Sequence, residues 1–356
     1  MPRAITLKHR AAGLLAVLVA LVAAPTLNVR VASAAATAVR AEASSSTTAR
    51  AKVLRYWTTA RLRHAVALDA PGAQTPFSTP TAATSDRGTP TAVAPSGVAF
   101  DSLARLSAQV GETKTLRGLV SGTRSMWTAP MTDMPARTFG KVFFTDPGDG
   151  QDYVCSGTVI NAENKSVVWT AGHCVHEGVA STGRWMKNWL FVPGYQDGYA
   201  PFGAWTSREL WTTSNWFRYE SLRYDMGAAI LQPLNGRRIA DVVGGEGIAF
   251  NQPLSQAYMA FGYPAEEPFD GEHLFLCQSP YGGSDLPGRT VGPATIRIAC
   301  DMTGGSSGGG WLGSFNGTWG YVVSVNSYGK TNESGTMYGP YMGNTAASLF
   351  NKIRYR

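Results

Sequence analysis

Short apolar runs separated by turn-forming residues fill the chain from about residue 138 onward, and they constrain the fold more than any other feature. The runs are rich in Val, Ile and aromatic residues, and clusters of Gly, Pro, Asn or Asp divide them. They read TFGKVFF, YVCSGTVI, SVVWTAGH, GAAILQPL, AYMAFGYP, TIRIAC and GYVVSVNSY. Many short strands at this spacing predict an all-β barrel or sandwich. A final run, AASLFNKIRY, has helical spacing and predicts a C-terminal helix.

The N-terminal end of the chain has the pattern of a secretory signal. Basic residues precede an apolar run from Ala11 to Ala24, and Ala32-Ser33-Ala34 fits a cleavage site. The run is shorter than the roughly 20 residues that a membrane span needs. We therefore predict a signal peptide over residues 1–35, with an uncleaved anchor as the alternative, and a secreted, extracellular protein that leaves the membrane once the signal is removed.

Residues 36–137 differ in amino-acid composition from the strand-rich part. They are rich in Ala, Thr, Ser and Pro and have no sustained apolar period. This composition predicts a pro-segment or linker of low complexity that is largely disordered. Two interpretations stay open, an intramolecular propeptide that inhibits the folded part and a leader with no inhibitory role.

The charge is divided unevenly along the chain. Residues 1–137 carry 16 Lys and Arg against 6 Asp and Glu, a net charge of +10, whereas residues 138–356 carry 15 against 18, a net charge of −3. A nucleic-acid-binding protein carries its positive patch on the folded domain. Because the folded half is mildly acidic, the sequence argues against a nucleic-acid partner.

All four cysteines lie in the strand-rich half. An even number of cysteines in an oxidising compartment predicts two disulfides, for which three connectivities exist. Cys174 can bridge to Cys155 in the neighbouring strand, which leaves Cys277 and Cys300 as the second pair. No C-x-x-C pair is present, so we do not expect a structural metal site.

Three local patterns supply what nucleophilic acyl transfer needs: a hydroxyl, a base, a group that orients the base, and donors for an oxyanion. His173 ends VVWTAGH, after an apolar strand and small residues, and Asp225 stands at the head of the apolar strand in YDMGAAIL. In TGGSSGGG, glycines surround Ser307 and allow the N–H groups of Gly305 and Ser307 to converge on the oxyanion. Ser306 is the competing nucleophile. Taken singly, each pattern also fits an ordinary loop or turn.

Together, TAGHC, YDMGAAIL and GGSSGGG resemble the His, Asp and Ser boxes of the chymotrypsin-like serine peptidases, in that family's order. The likeness is closer to the secreted bacterial branch that includes the V8-like glutamyl endopeptidases. It spans residues 138–356 and implies two six-stranded antiparallel β-barrels, near 138–240 and 241–350, with the site in the cleft between them.

The resemblance also implies an activity. A secreted serine endopeptidase would cleave protein or peptide substrates through a triad of His173, Asp225 and Ser307, with no metal or organic cofactor, and we expect a monomer. The alternative is a catalytically silent member of the same fold that binds a partner outside the cell.

Further residues take roles by the same resemblance. Ser324 would support the Asp–His pair, and Val325 and Asn326 would pair with the substrate backbone by strand addition. Asp301 lies six residues before Ser307, where trypsin-like members place the carboxylate of their specificity pocket. This spacing implies cleavage after Arg or Lys, unless Asp301 has a structural role.

The chain departs from the family pattern at two places. Ser306 stands where the family usually has Asp, the residue that receives the new N-terminal amine in trypsin-like zymogens, so that switch is expected to be absent. Latency would then have to come from residues 36–137 covering the cleft. The strand that lines the pocket also lacks the His of glutamyl-specific members, which argues against cleavage after Glu.

Overall fold

A computed structural model describes residues 37–42, 46–68, 70, 86–96, 124–178, 183–288 and 291–356. The predicted signal peptide lies outside these residues, and so does much of the predicted pro-segment. Within the described ranges, no helix has the length and apolar character to span a bilayer.

The described parts of residues 36–137, which we call the leader, form short elements on the surface of the strand-rich half. These are strand β1 (Ala38–Glu42), helix α1 (Thr47–Tyr56), helix α2 (Thr59–His64), and strands β2 (Val66–Ala67), β3 (Thr91–Val93) and β4 (Arg124–Met126). Ser46 and Thr58 cap the two helices with their hydroxyls.

Six strands close into an antiparallel barrel in the order β5-β6-β7-β10-β9-β8, with β8 pairing back to β5. They are β5 (Phe139–Thr145), β6 (Asp152–Val159), β7 (Val167–Thr170), β8 (Lys187–Pro193), β9 (Trp205–Thr213) and β10 (Gly227–Leu231). Helix α3 (Ser214–Tyr219) and a 3₁₀ turn (Leu222–Tyr224) connect β9 to β10, and a 3₁₀ turn (Ala136–Thr138) precedes β5. Closure leaves no open edge in the barrel.

The second half follows helix α4 (Ile239–Val243) and divides into two hydrogen-bonded sheets. Its strands are β11 (Gly247–Phe250), β12 (Ala257–Gly262), β13 (Phe275–Pro280), β14 (Gly283–Asp285), β15 (Thr295–Ala299), β16 (Gly310–Gly313), β17 (Tyr321–Val325), β18 (Tyr328–Lys330) and β19 (Glu333–Gly339). The orders are β3-β11-β17-β16-β12-β13-β4 and β14-β15-β19-β18. A disulfide between Cys277 and Cys300 joins β13 to the end of β15 and so links the two sheets.

The chain ends in helix α5 (Asn344–Ile353), as its helical spacing predicts. Its buried residues recur at intervals of three and four, which places them on one face. They are Ala346, Leu349, Phe350 and Ile353. Phe350 packs against Phe250 of β11 with 5.6 Å between the ring centres. Burial of side chains of this size stabilises the fold by about 1.5–3 kcal/mol each.

The all-β class, the two-barrel architecture and the C-terminal helix are confirmed. The leader differs from the expectation of a largely disordered segment over the residues that the structure describes. β1 pairs with β9 along its whole length, β2 pairs with β6, and β3 and β4 add to β11 and β13. Strands this short gain their stability from the sheets they join, so the lack of a sustained apolar period did not keep them from ordering.

Candidate active site

Asp225 and His173 form a buried pair between the ends of two barrel strands. The side chain of Asp225 is wholly buried, and its Oδ2 lies 2.8 Å from Nδ1 of His173. The backbone N–H of His173 donates to Oδ1 of the same carboxylate at 2.9 Å. A carboxylate only accepts, so Nδ1 carries the proton and Nε2 is left as the basic nitrogen. Among the described residues, Nε2 of His173 has no hydrogen-bond partner although it is buried.

Close approach explains the small residues around this pair. A Cβ at Gly172 would lie 2.7 Å from the Trp216 ring and 2.9 Å from Oδ1 of Asp225. Trp216 is fully buried behind the imidazole, with 6.1 Å between the ring centres. The Cys155–Cys174 disulfide ties the residue next to His173 to β6. These contacts fix the position of the imidazole.

The loop that carries Ser307 also depends on glycine. Gly305 and Gly308 have φ values of +87° and +83°, in the left-handed region that other residues avoid. A Cβ at Gly308 would lie 2.0 Å from Oγ1 of Thr170 and 2.5 Å from the carbonyl of Ser156. The N–H of Ser156 donates to the Ser307 carbonyl at 2.7 Å, so β6 holds the loop against the first barrel.

Some backbone N–H groups of this loop donate hydrogen bonds to carbonyl oxygens, and others do not. Ser306 donates its N–H to the carbonyl of Thr303, and Gly308 donates to the carbonyl of Asn326. Within the part of the chain that the structure describes, no carbonyl accepts from the N–H of Gly305 or of Ser307. Two unused donors on either side of one residue are what an oxyanion site requires.

The two adjacent serines, Ser306 and Ser307, differ in their surroundings. The hydroxyl of Ser306 donates to the carbonyl of Thr303 at 2.7 Å and is therefore engaged. The Ser307 carbonyl lies 3.7 Å from the sulfur of Cys174, which immediately follows His173 in the chain. The loop and the imidazole are thus neighbours, as the sequence patterns predict.

A cleft of about 370 Å³ opens beside this serine. Its wall includes Ser307, the edge strand β18 and two buried methionines, Met302 and Met337. Its lining also includes the charged residues Glu266 and Lys330. The ε-amino group of Lys330 lies 3.0 Å from a carboxylate oxygen of Asp285, so its charge is balanced.

Sequence reasoning assigned the partner of the Asp–His pair to the wrong serine. The hydroxyl of Ser327, not of Ser324, donates to Oδ2 of Asp225, at 2.6 Å. Ser324 donates to the carbonyl of Pro340 at 2.9 Å. The reason is the length of β17, which includes Ser324 but ends at Val325, so that Ser327 lies just past the strand end, where the chain turns into the cleft.

The two residues expected to bind the substrate backbone are also misassigned. Val325 pairs with Gly310 inside the sheet. Asn326 is fully buried, and its amide donates to the carbonyls of Phe261 and Ser306 and accepts from the Trp311 indole. Neither residue lines the cleft. The lining residues are shifted by about three positions, to Ser327, Tyr328, Gly329 and Lys330.

Asp301 likewise lies outside the cleft lining. Its carboxylate forms an ion pair with Arg124 of β4 and accepts a hydrogen bond from the N–H of the same residue at 3.2 Å. The structural role that the sequence left open for Asp301 is the one observed. The carboxylate is therefore engaged by the leader strand.

Two other features, both in the first half of the strand-rich part, have structural roles. The Trp-rich segment from Trp185 to Tyr224 contributes mainly to the interior, with at most 4% exposure for its buried tryptophans, which are Trp189, Trp205, Trp211 and Trp216. Potential metal-ligand atoms of Cys155, His173 and Cys174 lie within 4.8 Å of one another. Both sulfurs are in a disulfide and cannot act as thiolate ligands.

Comparison with solved structures identifies the fold and the family. The protease Anisep from Arthrobacter nicotinovorans is 42% identical, with a TM-score of 0.56 over 63% of this chain and 98% of that one. AL20, a thermostable serine protease from an extremophilic microorganism, is 37% identical, with a TM-score of 0.57 over 62% and 98% of the two chains. The chain belongs to the chymotrypsin-like serine peptidases.

The family assignment rests on these two bacterial proteases. A Glu endopeptidase in complex with MPD is 19% identical, with a TM-score of 0.53 over 67% of this chain and 98% of that one, and it supports the fold alone. Models of protein families and curated protein sequences give no match. As a chymotrypsin-like serine peptidase, the protein is a hydrolase that acts on peptides.

Proposed function

We propose that the protein is a secreted serine endopeptidase that uses His173, Asp225 and Ser307 as its catalytic triad. The observation that carries this proposal is the buried imidazole, whose Nδ1 is bound to Asp225 while its Nε2 has no partner among the described residues. An imidazole held in this tautomer can accept a proton only at Nε2.

The reaction would proceed in two balanced steps. Ser307 Oγ attacks the substrate carbonyl while its proton passes to Nε2 of His173, and Asp225 stabilises the imidazolium that forms. The N–H groups of Gly305 and Ser307 donate to the oxyanion, and the leaving amine takes the proton from His173. Water then attacks the acyl-enzyme and gives a proton to Nε2 of His173, and His173 returns this proton to Oγ of Ser307 as the bond to the acyl group breaks and the acid product leaves.

The substrate backbone would bind along β18 rather than along β17. β18 is the terminal strand of its sheet, so one of its edges has no paired strand among the residues that the structure describes. An extended peptide can add to such an edge through main-chain hydrogen bonds. Gly329 lies in the middle of β18 and lines the cleft, where a missing side chain leaves room for the peptide.

The precursor organisation follows from the sequence patterns. We propose that residues 1–35 direct export and are removed, that residues 36–137 form a pro-segment, and that residues 138–356 form the peptidase domain, which works as a monomer without a cofactor. Two disulfides, Cys155–Cys174 and Cys277–Cys300, suit an extracellular enzyme. Anisep and AL20 cover less than two thirds of this chain, although each is matched over 98% of its own length. An additional segment is therefore in keeping with this organisation.

Covalent labelling tests the catalytic proposal. A fluorophosphonate probe should label the processed wild-type protein and should fail to label Ser307→Ala, whereas Ser306→Ala, the matched control, should keep its labelling. Cleavage of an unfolded protein substrate should fall by about 10⁴-fold or more in Ser307→Ala. Absence of labelling in a correctly folded wild-type protein would favour the catalytically silent binding protein instead.

A further inference from the structure

The peptide unit between Gly304 and Gly305 carries the N–H of Gly305, one of the two proposed oxyanion donors. Its carbonyl accepts a hydrogen bond from the N–H of Ala265 at 2.7 Å. The unit is trans, so its C=O and N–H bonds point in opposite directions and can only turn together. The contact from Ala265 therefore sets the direction in which the N–H of Gly305 points.

Ala265 belongs to residues 263–272, which follow β12 and which we call the supporting segment. This segment lies along the glycine-rich loop that contains the candidate nucleophile. The hydroxyl of Thr303 accepts from the N–H of Glu266 at 3.2 Å and donates to the carbonyl of the same residue at 3.1 Å. A Cβ at Gly305 would lie only 2.8 Å from the Cβ of Ala265. The position of the loop therefore depends on where the supporting segment is held.

The beginning of the supporting segment is bonded to the first barrel. The N–H of Tyr263 donates to the hydroxyl of Ser156 in β6 at 2.8 Å, and this hydroxyl donates to the carbonyl of Gly305 at 2.9 Å. Tyr263 is wholly buried, and its own hydroxyl donates to the carbonyl of Tyr195 at 3.0 Å. β6 therefore fixes this end of the segment together with the loop.

The other end of the segment is held by an ion pair with a buried lysine. Nζ of Lys141 in β5 lies 3.2 Å from a carboxylate oxygen of Glu272, and the lysine is 3% exposed. The same carboxylate accepts a hydrogen bond from the hydroxyl of Tyr195 at 2.8 Å. Burial lowers the pKa of Lys141, and the Glu272 carboxylate opposes this change. The ammonium group therefore depends on Glu272 to remain charged inside the protein.

A glycine connects the ion pair to Ala265. Gly271 precedes Glu272 and has a φ of +76°, in the left-handed region that favours glycine. A Cβ at Gly271 would lie 2.8 Å from the Cβ of Ala265 and 3.2 Å from Nζ of Lys141. Lys141 and Ala265 thus both lie against the same glycine, so a shift of the lysine or of its partner would reach the residue that fixes the peptide of the oxyanion site.

We propose that Lys141 is a positioning residue for the oxyanion site. Its ion pair with Glu272 holds the supporting segment on the first barrel, and Ala265 in that segment keeps the Gly304–Gly305 peptide with its N–H turned toward the substrate. This support is internal to the strand-rich half, so the oxyanion site forms without a new N-terminal amine. The inference rests on the proposed function, because an oxyanion arises only if the cleft cleaves peptides.

The test compares Lys141→Met with Lys187→Met in the processed enzyme. Both substitutions remove one ammonium group and keep most of the side-chain volume, but Lys187 is exposed on the neighbouring strand β8. Loss of one oxyanion donor lowers kcat by about 10²–10³. In Lys141→Met the donor is displaced rather than lost, so kcat per titrated active site should fall by about tenfold to a hundredfold while KM changes by less than about twofold. Lys187→Met should match the wild type.

A second measurement separates positioning from a general loss of stability. A peptidyl trifluoromethyl ketone forms a hemiketal with the nucleophile, and the hemiketal oxyanion needs the same two N–H groups. Its affinity should therefore fall together with kcat in Lys141→Met, whereas the corresponding peptidyl alcohol, which forms no adduct, should bind this variant as it binds the wild type. Unchanged kcat and ketone affinity, or a loss confined to the number of titrated sites, would overturn the positioning role.

Glu272→Gln covers the case in which Lys141→Met does not fold. The Glu272 side chain is 25% exposed, and a Gln there can still accept the hydrogen bond from Tyr195. This variant should show the same fall in kcat and in ketone affinity with little change in KM, and full activity in it would also overturn the role of the ion pair. A wild-type enzyme that neither labels with the fluorophosphonate nor cleaves peptides would instead refute the proposed function.

Discussion

The substitution Ser327→Ala removes the hydrogen bond that the Asp225 carboxylate is observed to accept. The sequence had led us to expect this bond from Ser324 instead. The bond is 2.6 Å long and ends on a carboxylate that is wholly buried. A hydrogen bond to a charged group contributes about 1.5–3 kcal/mol, and the free energy of unfolding should fall by that amount. Asp225 also keeps its bonds to the N–H and Nδ1 of His173, so the imidazole should retain its orientation and only part of the activity should be lost.

The expected loss of activity follows from the charge on Asp225. Ser327 donates a hydrogen bond to the carboxylate that stabilises the imidazolium during attack. If its removal raises the activation free energy by about 1.4 kcal/mol, kcat decreases tenfold. We expect kcat to fall about tenfold with KM changed less, and Ser327→Thr, which keeps a hydroxyl, to recover much of the loss. Initial rates on a peptide substrate, corrected by active-site titration, measure both parameters.

Ser324→Ala is the control for this prediction. Its hydroxyl is as buried as that of Ser327 but donates to the neutral carbonyl of Pro340. Its removal should cost about 0.5–1.5 kcal/mol of stability and leave kcat within about twofold. If Ser324→Ala lost activity while Ser327→Ala kept it, the assignment of Ser327 as the positioning residue would be refuted.

Two further predictions concern carboxylates away from the triad. Asp301→Asn should leave the P1 profile unchanged and lower the free energy of unfolding by at most about 1 kcal/mol, because its pair with Arg124 is partly exposed. Digestion of a peptide library by Asp301→Asn and by Arg124→Ala checks this prediction. Loss of cleavage after Arg or Lys in Asp301→Asn alone would contradict it. Burial raises the pKa of Glu246 from 4.5 to about 8, so the stability it contributes is fully present below pH 4.5 and is lost as the pH rises through 8. Glu246→Gln resembles the protonated form and should remove this pH-dependent loss, which amounts to several kcal/mol in the free energy of unfolding. Urea unfolding of the wild type and the variant from pH 5 to 9 measures it, and identical pH profiles for the two proteins would disprove the assignment.

The residues predicted most securely from the sequence are those next to strand ends. His173 follows the strand that ends at Thr170, and Asp225 precedes the strand that begins at Gly227. In both cases a glycine allows a close approach, since a Cβ at Gly172 would lie 2.9 Å from Oδ1 of Asp225 and a Cβ at Gly227 would lie 2.6 Å from the carbonyl oxygen of Ala171. Apolar runs with turn residues between them define strand ends well, which is why the barrel strands and the candidate triad could be read from the chain.

The same reasoning shows why the serine on β17 was misassigned. The segment VVSVNSYG has two serines three residues apart, and the sequence does not show where the strand stops. Sheet pairing stops it at Val325, because Asn326 turns its side chain inward to bind three groups of the core. A polar residue buried by tertiary contacts has no local signature. Ser327, like His173 and Asp225, lies just beyond a strand end, so the rule applied to those two residues would have selected it.

The order in the leader could not have been predicted from composition. An isolated helix of ten residues is marginal in water, and α1 has no buried residue of its own. Its stability depends on contacts such as those of Asp152, which are made only after the first barrel has formed. Composition reports what a segment can bury by itself, and this segment orders by binding to a surface that the rest of the chain supplies.

The described leader contacts the two halves of the enzyme with different parts. β1 and β2 pair with strands of the first barrel and Ala70 lines the cleft, whereas β3 and β4 extend the sheet of the second half. Arg124 of β4 forms an ion pair with Asp301, and neither residue is among those that line the cleft. Because β4 pairs with β13 and its Arg124 binds Asp301, a substitution at Arg124 should weaken how firmly the edge of the second sheet is held and leave the residues that line the cleft in place.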